Sequence, residues 1–292
     1  MRSLFVSLLA GAALSVAPLA TAQELHAFSD ASRLVSIGGS LTEVIYALGE
    51  GERLVGRDQT ATYPEAAAAL PDIGYPRQLA PEGVLSVSPT ALLVLEGSGP
   101  PETLDVLSHA GVEYQAVPES YSAEGVIAKI VAVGQALGIE EEAQAYAAEI
   151  QAQFAQLAKA TAAIEKPKRV LFVLSVEGGK IQASGTGTAA DGMIALAGAQ
   201  NAITSYSGYK ALTEEAIISA APDAILMMDR GGDHAATDAE LLSHPAIALT
   251  PVAQTKAIYR LDGSYLLGFG PRAAAAATEV ARLLYGDQVG GE

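Results

Sequence analysis

Residues 140 to 165 read EEEAQAYAAEIQAQFAQLAKATAAIE, without glycine or proline. Alanine, glutamate, glutamine and leucine are strong helix formers, so we predict one long helix within a connecting segment that spans residues 140–166. At 1.5 Å per residue this helix is roughly 39 Å long, enough to run the height of one lobe and carry the chain to another. We therefore expect a stiff connection rather than a flexible glycine–serine linker.

Strands and helices alternate on both sides of this connecting helix. Before it, Arg33–Ile37 is predicted as a buried strand, followed by a helix that Ser40 or Thr42 can cap. After it, Arg169–Val176 is predicted as a strand and Ala189–Leu196 as a helix. Such alternation predicts an α/β fold with a mostly parallel sheet in each half.

A helix–strand unit recurs in the two halves of the chain. Residues 81–97 read PEGVLSVSPTALLVLEG and residues 214–230 read EEAIISAAPDAILMMDR. In each unit a glutamate, Glu82 or Glu215, stands seven residues before a proline that leads into an apolar strand. In the first unit we expect a helix over Pro81–Ser88. We infer two similar lobes, residues 23–139 and 167–292, joined by the long helix and enclosing a ligand cleft.

The N-terminus has the pattern of a secretory signal peptide. Met1 and Arg2 precede an almost wholly apolar run from residue 4 to 16, and Ala20-Thr21-Ala22 is the small-x-small pattern that signal peptidase cleaves. The apolar run is too short for a permanent membrane-spanning helix. We predict that residues 1–22 are removed and that the mature protein works in the periplasm.

Composition excludes several classes of function. The chain has no cysteine, so disulfides, thiolate metal sites and cysteine nucleophiles are absent. Its formal net charge of −16 argues against a nucleic-acid partner, because few cations are available to release phosphate counterions. The spacing of the four histidines does not suggest a metal site.

Catalytic motifs are also missing from the sequence. It has no GK[ST] phosphate loop and no G-x-S-x-G nucleophile elbow. The stretch from Gly185 to Ala190 fits G-x-G-x-x-A, but it lies far from its strand and lacks the acidic residue about twenty positions further on. We therefore expect a protein that is not an enzyme. A secreted enzyme that uses Asp191 and Glu177 as acid and base is the alternative of a different class.

Three further stretches carry a family resemblance. They are Arg57–Pro64 (RDQTATYP), Gly74–Leu79 (GYPRQL) and Gly208–Glu215 (GYKALTEE). Together with the two lobes, the connecting helix and the export signal, they resemble the haem-binding members of the helix-linked periplasmic binding proteins of ABC importers. The resemblance covers essentially the whole mature chain.

The resemblance implies roles for five residues of the cleft. Tyr63 falls on the axial ligand of ferric haem, and Arg230 falls on an arginine that reaches the oxygen of that tyrosine. Ferric iron is a hard acid that accepts a phenolate ligand, and a guanidinium nearby favours the phenolate form. Haem propionates need cationic or hydrogen-bonding partners, for which Arg77, Tyr209 and Lys210 are the candidates.

The resemblance also implies a transport role and its partner. Glu82 and Glu215 correspond to carboxylates, one per lobe, that dock onto arginines of an ABC permease, and we expect a monomer that serves haem and iron uptake. Some family members bind a second haem through a histidine of the second lobe, but Val176–Gly179 contains none, so we expect one haem. A ferric siderophore or a corrinoid is the alternative ligand on the same fold, with Tyr63 as a wall residue.

Overall fold

The computed structural model describes residues 25–229 and 236–289, except for the side chain of Asp287. The predicted signal peptide, Arg230 and His234 lie outside the described residues. Among the described helices, none is long and apolar enough to cross a membrane.

The first lobe is built on a four-stranded sheet. Its strand order is β2-β1-β3-β4, and all three pairings are parallel. The strands are short, and all four residues of the central strand β1 are buried. The elements of this lobe are β1 (Leu34–Ile37), α1 (Gly39–Ala47), β2 (Leu54–Arg57), α2 (Glu65–Ala68), α3 (Pro81–Leu85), β3 (Ala91–Leu95), α4 (Pro101–His109) and β4 (Glu113–Val117).

Two consecutive helices, α5 (Ala123–Leu137) and α6 (Glu140–Thr161), connect the lobes. The α5 helix starts at the N-cap Ser122, whose side chain accepts a hydrogen bond from the Gly125 amide, and ends at Gly138 in the left-handed conformation. The α6 helix is the predicted connecting helix. It ends at Thr161 rather than Glu165, because the chain then turns, with the Ile164 amide donating to the Thr161 carbonyl at 3.0 Å.

The second lobe contains a six-stranded mixed sheet of order β10-β9-β5-β6-β8, with β7 paired to β5. The pairs among β10, β9, β5 and β7 are parallel, whereas β6 runs antiparallel to β5 and β8. The predicted α/β fold with two lobes is therefore confirmed. The elements are β5 (Arg169–Glu177), β6 (Lys180–Ser184), α7 (Ala189–Leu196), β7 (Gln200–Asn201), β8 (Tyr209–Ala211), α8 (Glu214–Ala220), β9 (Ala224–Asp229), α9 (Asp238–Ser243), α10 (Pro251–Thr255), β10 (Ile258–Asp262), α11 (Gly263–Leu267) and α12 (Ala273–Tyr285).

One apolar core runs through both lobes. The cluster that contains Leu34 and Leu41 of the first lobe continues through Phe154 of α6 to Phe172 and Val280 of the second. Two smaller clusters cover the outer faces of the two sheets. Because the main cluster includes α5, α6 and α12, the lobes share buried surface at their connection.

Two local predictions are wrong in detail. Neither Ser40 nor Thr42 caps α1: the N-cap is Gly38, at φ 121°, and both side chains lie in the first turn. Their hydroxyls bond to buried partners instead, Ser40 to Lys129 and Thr42 to Ser36. The helix predicted over Pro81–Ser88 ends at Leu85, because Ser88 has a positive φ of 48° and precedes a proline.

Lys129 of α5 is a buried cation at the junction of the lobes. Its side chain is 0% exposed, and its Nζ donates to both carboxylate oxygens of Glu119, at 2.9 and 3.1 Å. It also donates to Ser40 Oγ at 3.0 Å and to the Phe269 carbonyl of the second lobe at 3.0 Å. Burial lowers the pKa of Lys129 and raises the pKa of Glu119, although the attraction between them opposes both changes.

We predict that Lys129→Met lowers the free energy of unfolding by about 3 kcal/mol, because it leaves the Glu119 carboxylate and the Phe269 carbonyl without their cation. The lowered pKa of Lys129 and the raised pKa of Glu119 both show that burial destabilises the charged form of the side chain. The double variant Lys129→Met/Glu119→Leu should therefore recover most of the loss. Urea unfolding measures both changes. The control, Lys159→Met on the exposed face of α6, should stay within about 0.5 kcal/mol of wild type. Equal losses for Lys129→Met and Lys159→Met would contradict the role given to Lys129.

Candidate functional site

The loop that carries Tyr63 is anchored to the start of α1 by Asp58. The Asp58 side chain is fully buried, and its carboxylate accepts hydrogen bonds from the backbone amides of Gly38, at 2.6 Å, and Thr60, at 2.7 Å. At Gly39 a Cβ atom would lie 2.9 Å from the Thr60 carbonyl oxygen, so glycine permits this close approach. The pair Gly38-Gly39 and Asp58 thus fix where the loop leaves the first lobe.

Tyr63 lies at the surface of the first lobe beside the second. Its side chain remains 46% exposed, and the peptide bond to Pro64 is cis. The neighbouring Thr62 hydroxyl lies 3.4 Å from that of Ser264 in the second lobe. The loop therefore reaches across the cleft while the tyrosine stays accessible to a ligand.

Arg272 of the second lobe covers one side of the Tyr63 ring. Its guanidinium carbon lies 3.7 Å from the ring centroid of Tyr63 and 5.2 Å from that of Tyr265. Arg272 donates from Nε to Glu43 Oε2 at 2.9 Å and from Nη2 to Oε1 at 2.6 Å. Burial acts to lower the pKa of Arg272, but these bonds and the neighbouring charges outweigh it and raise the pKa, so the cation stays charged.

Arg272 is not among the residues predicted from the sequence. The prediction assigned a cation beside Tyr63 to Arg230, which lies outside the described residues. The sequence signal for Arg272 is weak, since it is an arginine after Gly270-Pro271 at the start of the last helix. Its partner Glu43 is 229 residues away in sequence.

A second group of polar side chains forms around Arg77. Burial raises the pKa of both Tyr121 and Tyr209, and the nearby charge of Arg77 acts in the opposite direction. Tyr209 is 38% exposed, and Thr188 and the Ala190 backbone lie around its hydroxyl. Arg77 of the first lobe therefore acts electrostatically on Tyr209 of the second lobe, and the roles of both as propionate partners stay predictions.

The other predicted residues lie elsewhere. The Lys210 ammonium sits 5.1 Å from the centroid of the Tyr206 ring, and its backbone pairs in β8. Glu82 and Glu215 are exposed in the first turns of α3 and α8, one per lobe. Both glutamate side chains are therefore accessible to a partner protein.

The structure gives less support to the two alternative kinds of site, a catalytic acid–base pair and a metal site. Both carboxylate oxygens of Asp191 are engaged, with the Gly187 amide and the Asn201 side chain, each at 2.9 Å. Within the described residues no three histidine or acidic side chains converge on a common point where a metal ion could bind. The described histidines have separate partners, such as Glu113 for His26 and the Gly179 carbonyl for His244.

The fold and this cleft together define a two-lobed, helix-connected substrate-binding protein. Exposed aromatic and cationic side chains meet between two α/β lobes, where ligands bind in this architecture. The model of the periplasmic binding protein family matches residues 34–265. The chain therefore belongs to the periplasmic binding protein family.

Solved structures and curated relatives agree with this assignment. The chain is 39% identical to the periplasmic heme-binding protein BhuT, solved in complex with two hemes, over 88% of this chain and 98% of that one, with a TM-score of 0.83. It is equally similar to the periplasmic heme-binding protein RhuT from Roseiflexus sp. RS-1, over 88% and 99% of the two chains, again with a TM-score of 0.83. It is also 26% identical to an uncharacterized ABC transporter substrate-binding lipoprotein, YvrC, of Bacillus subtilis, over 92% of this chain and 84% of that one.

Proposed function

We propose that this protein binds ferric haem between its lobes in the periplasm and delivers it, as a monomer, to an ABC permease. The observation that carries the proposal is Tyr63, an exposed tyrosine on the cleft with an arginine against its ring. Relatives of 39% identity are heme-binding proteins, which supports the same ligand.

The chemistry of the cleft suits ferric haem. A tyrosine phenolate is an anionic oxygen ligand of the kind that ferric iron prefers. Arg272 supplies positive charge beside that ring without occupying the exposed side of the tyrosine. Arg77 and Tyr209 offer donors for propionates, and an arginine can bind a carboxylate through two parallel hydrogen bonds.

Lys210 and Arg230 are kept as proposed haem contacts from the family resemblance. Lys210 is exposed in β8, so its long side chain can turn from Tyr206 toward a propionate. Arg230 directly follows β9. Its proposed role as a haem contact rests on the family resemblance alone.

The partner is proposed from the two exposed glutamates. Glu82 and Glu215 each lie in the first turn of a short helix in equivalent helix–strand units of the two lobes. One carboxylate per lobe can meet one cation per half of a two-fold permease, and complementary charges also speed the encounter. The acidic balance of the chain agrees with a basic docking surface.

We predict that the mature protein binds ferric haem with the absorbance spectrum of a high-spin tyrosinate complex, saturating at one equivalent. Tyr63→Phe should lose this spectrum because phenylalanine has no oxygen to bind iron. Tyr114→Phe, in a strand of the first lobe, is the matched control and should behave as wild type. Titration with ferric haem, followed by absorbance, measures both the spectrum and the stoichiometry.

Two outcomes of this titration would change the proposal in different ways. If the tyrosinate spectrum disappears in Tyr75→Phe or Tyr209→Phe but survives in Tyr63→Phe, haem binds and the ligand assignment is wrong. If the wild type shows only the spectrum of free haem, haem is not the ligand. Parallel titrations with a cobalamin and a ferric siderophore then test the alternative ligands.

We predict that Glu82→Ala and Glu215→Ala leave haem affinity unchanged and weaken stimulation of the permease. Loss of one partner from an interfacial charge pair costs about 2 kcal/mol or more, roughly thirtyfold in affinity for the permease. ATP hydrolysis by the permease in lipid vesicles, measured against the concentration of haem-loaded protein, reports that affinity.

Glu102→Ala and Glu214→Ala are the matched controls for docking. Glu102 is an exposed glutamate in the first turn of α4, and Glu214 precedes Glu215 in α8. Stimulation curves that are the same for all four variants would rule out the proposed docking role of Glu82 and Glu215.

A further inference from the structure

Arg272 of the second lobe contacts both Glu43 and Tyr63 of the first lobe. We propose that Arg272, held in place by Glu43, is the positioning residue for Tyr63, so that the geometry of the iron ligand depends on contact between the lobes. This inference rests on the proposed haem-binding function. It adds a positioning residue from the second lobe to Tyr63, the iron ligand that the first lobe provides.

The Glu43 carboxylate fixes the plane of the guanidinium group. Two parallel hydrogen bonds, of 2.9 and 2.6 Å, join Arg272 to the two oxygens of Glu43. Bidentate pairing of this kind restrains both the distance and the orientation of an arginine. The Glu43 side chain is only 7% exposed, because it lies on α1 beneath the segment that ends at Arg272.

The fixed guanidinium group in turn restrains the ring of Tyr63. Planar guanidinium groups stack on aromatic faces, and here the guanidinium carbon is 3.7 Å from the ring centroid. Tyr63 is otherwise 46% exposed, so few other contacts restrain its side chain. The stack therefore selects one ring orientation before a ligand arrives, which reduces the entropy lost on binding.

The segment before Arg272 is tied to the first lobe at a second point. The Phe269 carbonyl accepts a hydrogen bond from Lys129, at 3.0 Å. Between the two ties, a Cβ atom on Gly270 would lie 3.1 Å from a Glu43 carboxylate oxygen, so the segment passes very close to α1. The two ties therefore hold Arg272 beside Tyr63 as long as this contact between the lobes is intact.

Arg272 holds the ring of Tyr63 by its charge as well as by its planar shape. A cation over an aromatic face is attracted to the electron density of the ring. Lysine at position 272 would keep the charge, but it could neither form the bidentate pair nor stack as a plane. Comparing arginine, lysine and methionine at position 272 therefore distinguishes the effect of the positive charge from the effect of the planar, oriented side chain.

The experiment compares Arg272→Met, Arg272→Lys and Glu43→Gln with wild type in the complex with ferric haem. The control is Arg282→Met, an exposed arginine ten residues further along on α12. Two quantities are measured for each: the phenolate-to-iron charge-transfer band and the rate at which haem passes to excess apomyoglobin. Retention of the folded state is checked by circular dichroism.

We expect Arg272→Met to shift the charge-transfer band and to release haem about tenfold faster, with Arg282→Met unchanged. Arg272→Lys and Glu43→Gln should give intermediate values. Each variant keeps a positive charge at position 272 but loses part of the restraint on how that side chain is oriented. If Arg272→Met does not fold, Arg272→Lys provides the same comparison. A stability loss in Arg272→Met with an unshifted band and an unchanged release rate would overturn the inference, leaving Arg272 as a contact between lobes only.

A haem-free measurement separates this inference from the proposed function. The ¹⁹F resonance of 3-fluorotyrosine incorporated at position 63 reports the surroundings of the ring. In wild type and Arg282→Met, the chemical shift of this resonance should differ from its value in the unfolded protein. In Arg272→Met the chemical shift should move toward the unfolded value. An identical resonance in all three proteins would overturn the positioning role even if haem binds. Absence of a tyrosinate complex in wild type, with the expected ¹⁹F shifts, would reject the haem proposal alone.

Discussion

The shared apolar core between the lobes is the constraint on which the rest of the structure depends. Residues of α1, α5, α6, α7 and α12 belong to one buried cluster, so the connection between the lobes is a packed interface rather than a hinge on a single strand of chain. Separating the lobes widely would expose part of this cluster to water, which costs about 25 cal/mol for each Å² of apolar surface. The facing surfaces of the cleft are therefore held near one another before any ligand binds.

Charged side chains form hydrogen bonds across this packed contact between the lobes. Lys129 links α5, the segment after β4 and the Phe269 carbonyl, while Glu43 and Arg272 pair across the lobes a few residues away. Buried charges of this kind contribute little net stability, but they specify which groups must meet. At the cleft this specificity places a guanidinium group against Tyr63, so the packing of the core bears directly on the chemistry of the site.

The sequence predicts the fold well where local patterns are sufficient. The buried strands are short apolar runs bounded by glycine or proline, and α6 is rich in strong helix formers. The helix α5 is not among the predicted elements, and it contains two internal glycines, which lower helix propensity. Packing explains one of them: at Gly134 a Cβ atom would lie 2.2 Å from that of Ala143, so only glycine lets α5 approach α6.

The candidate site could be predicted only in part. Tyr63, Arg77 and Tyr209 could be proposed because they lie in the stretches that resemble the family, and their roles as haem contacts stay predictions. Arg272 could not be found in this way. Its role depends on Glu43 and Tyr63, which are distant in sequence and meet it only through the packing of the two lobes.

The measurement that tests the central claim most directly is resonance Raman spectroscopy of the ferric-haem complex, using protein whose tyrosine rings carry deuterium. If Tyr63 binds the iron, an iron–phenolate mode will shift on deuteration and will be absent from Tyr63→Phe. A complex without any mode sensitive to the tyrosine isotope, or one whose mode persists in Tyr63→Phe, would contradict the account of this cleft.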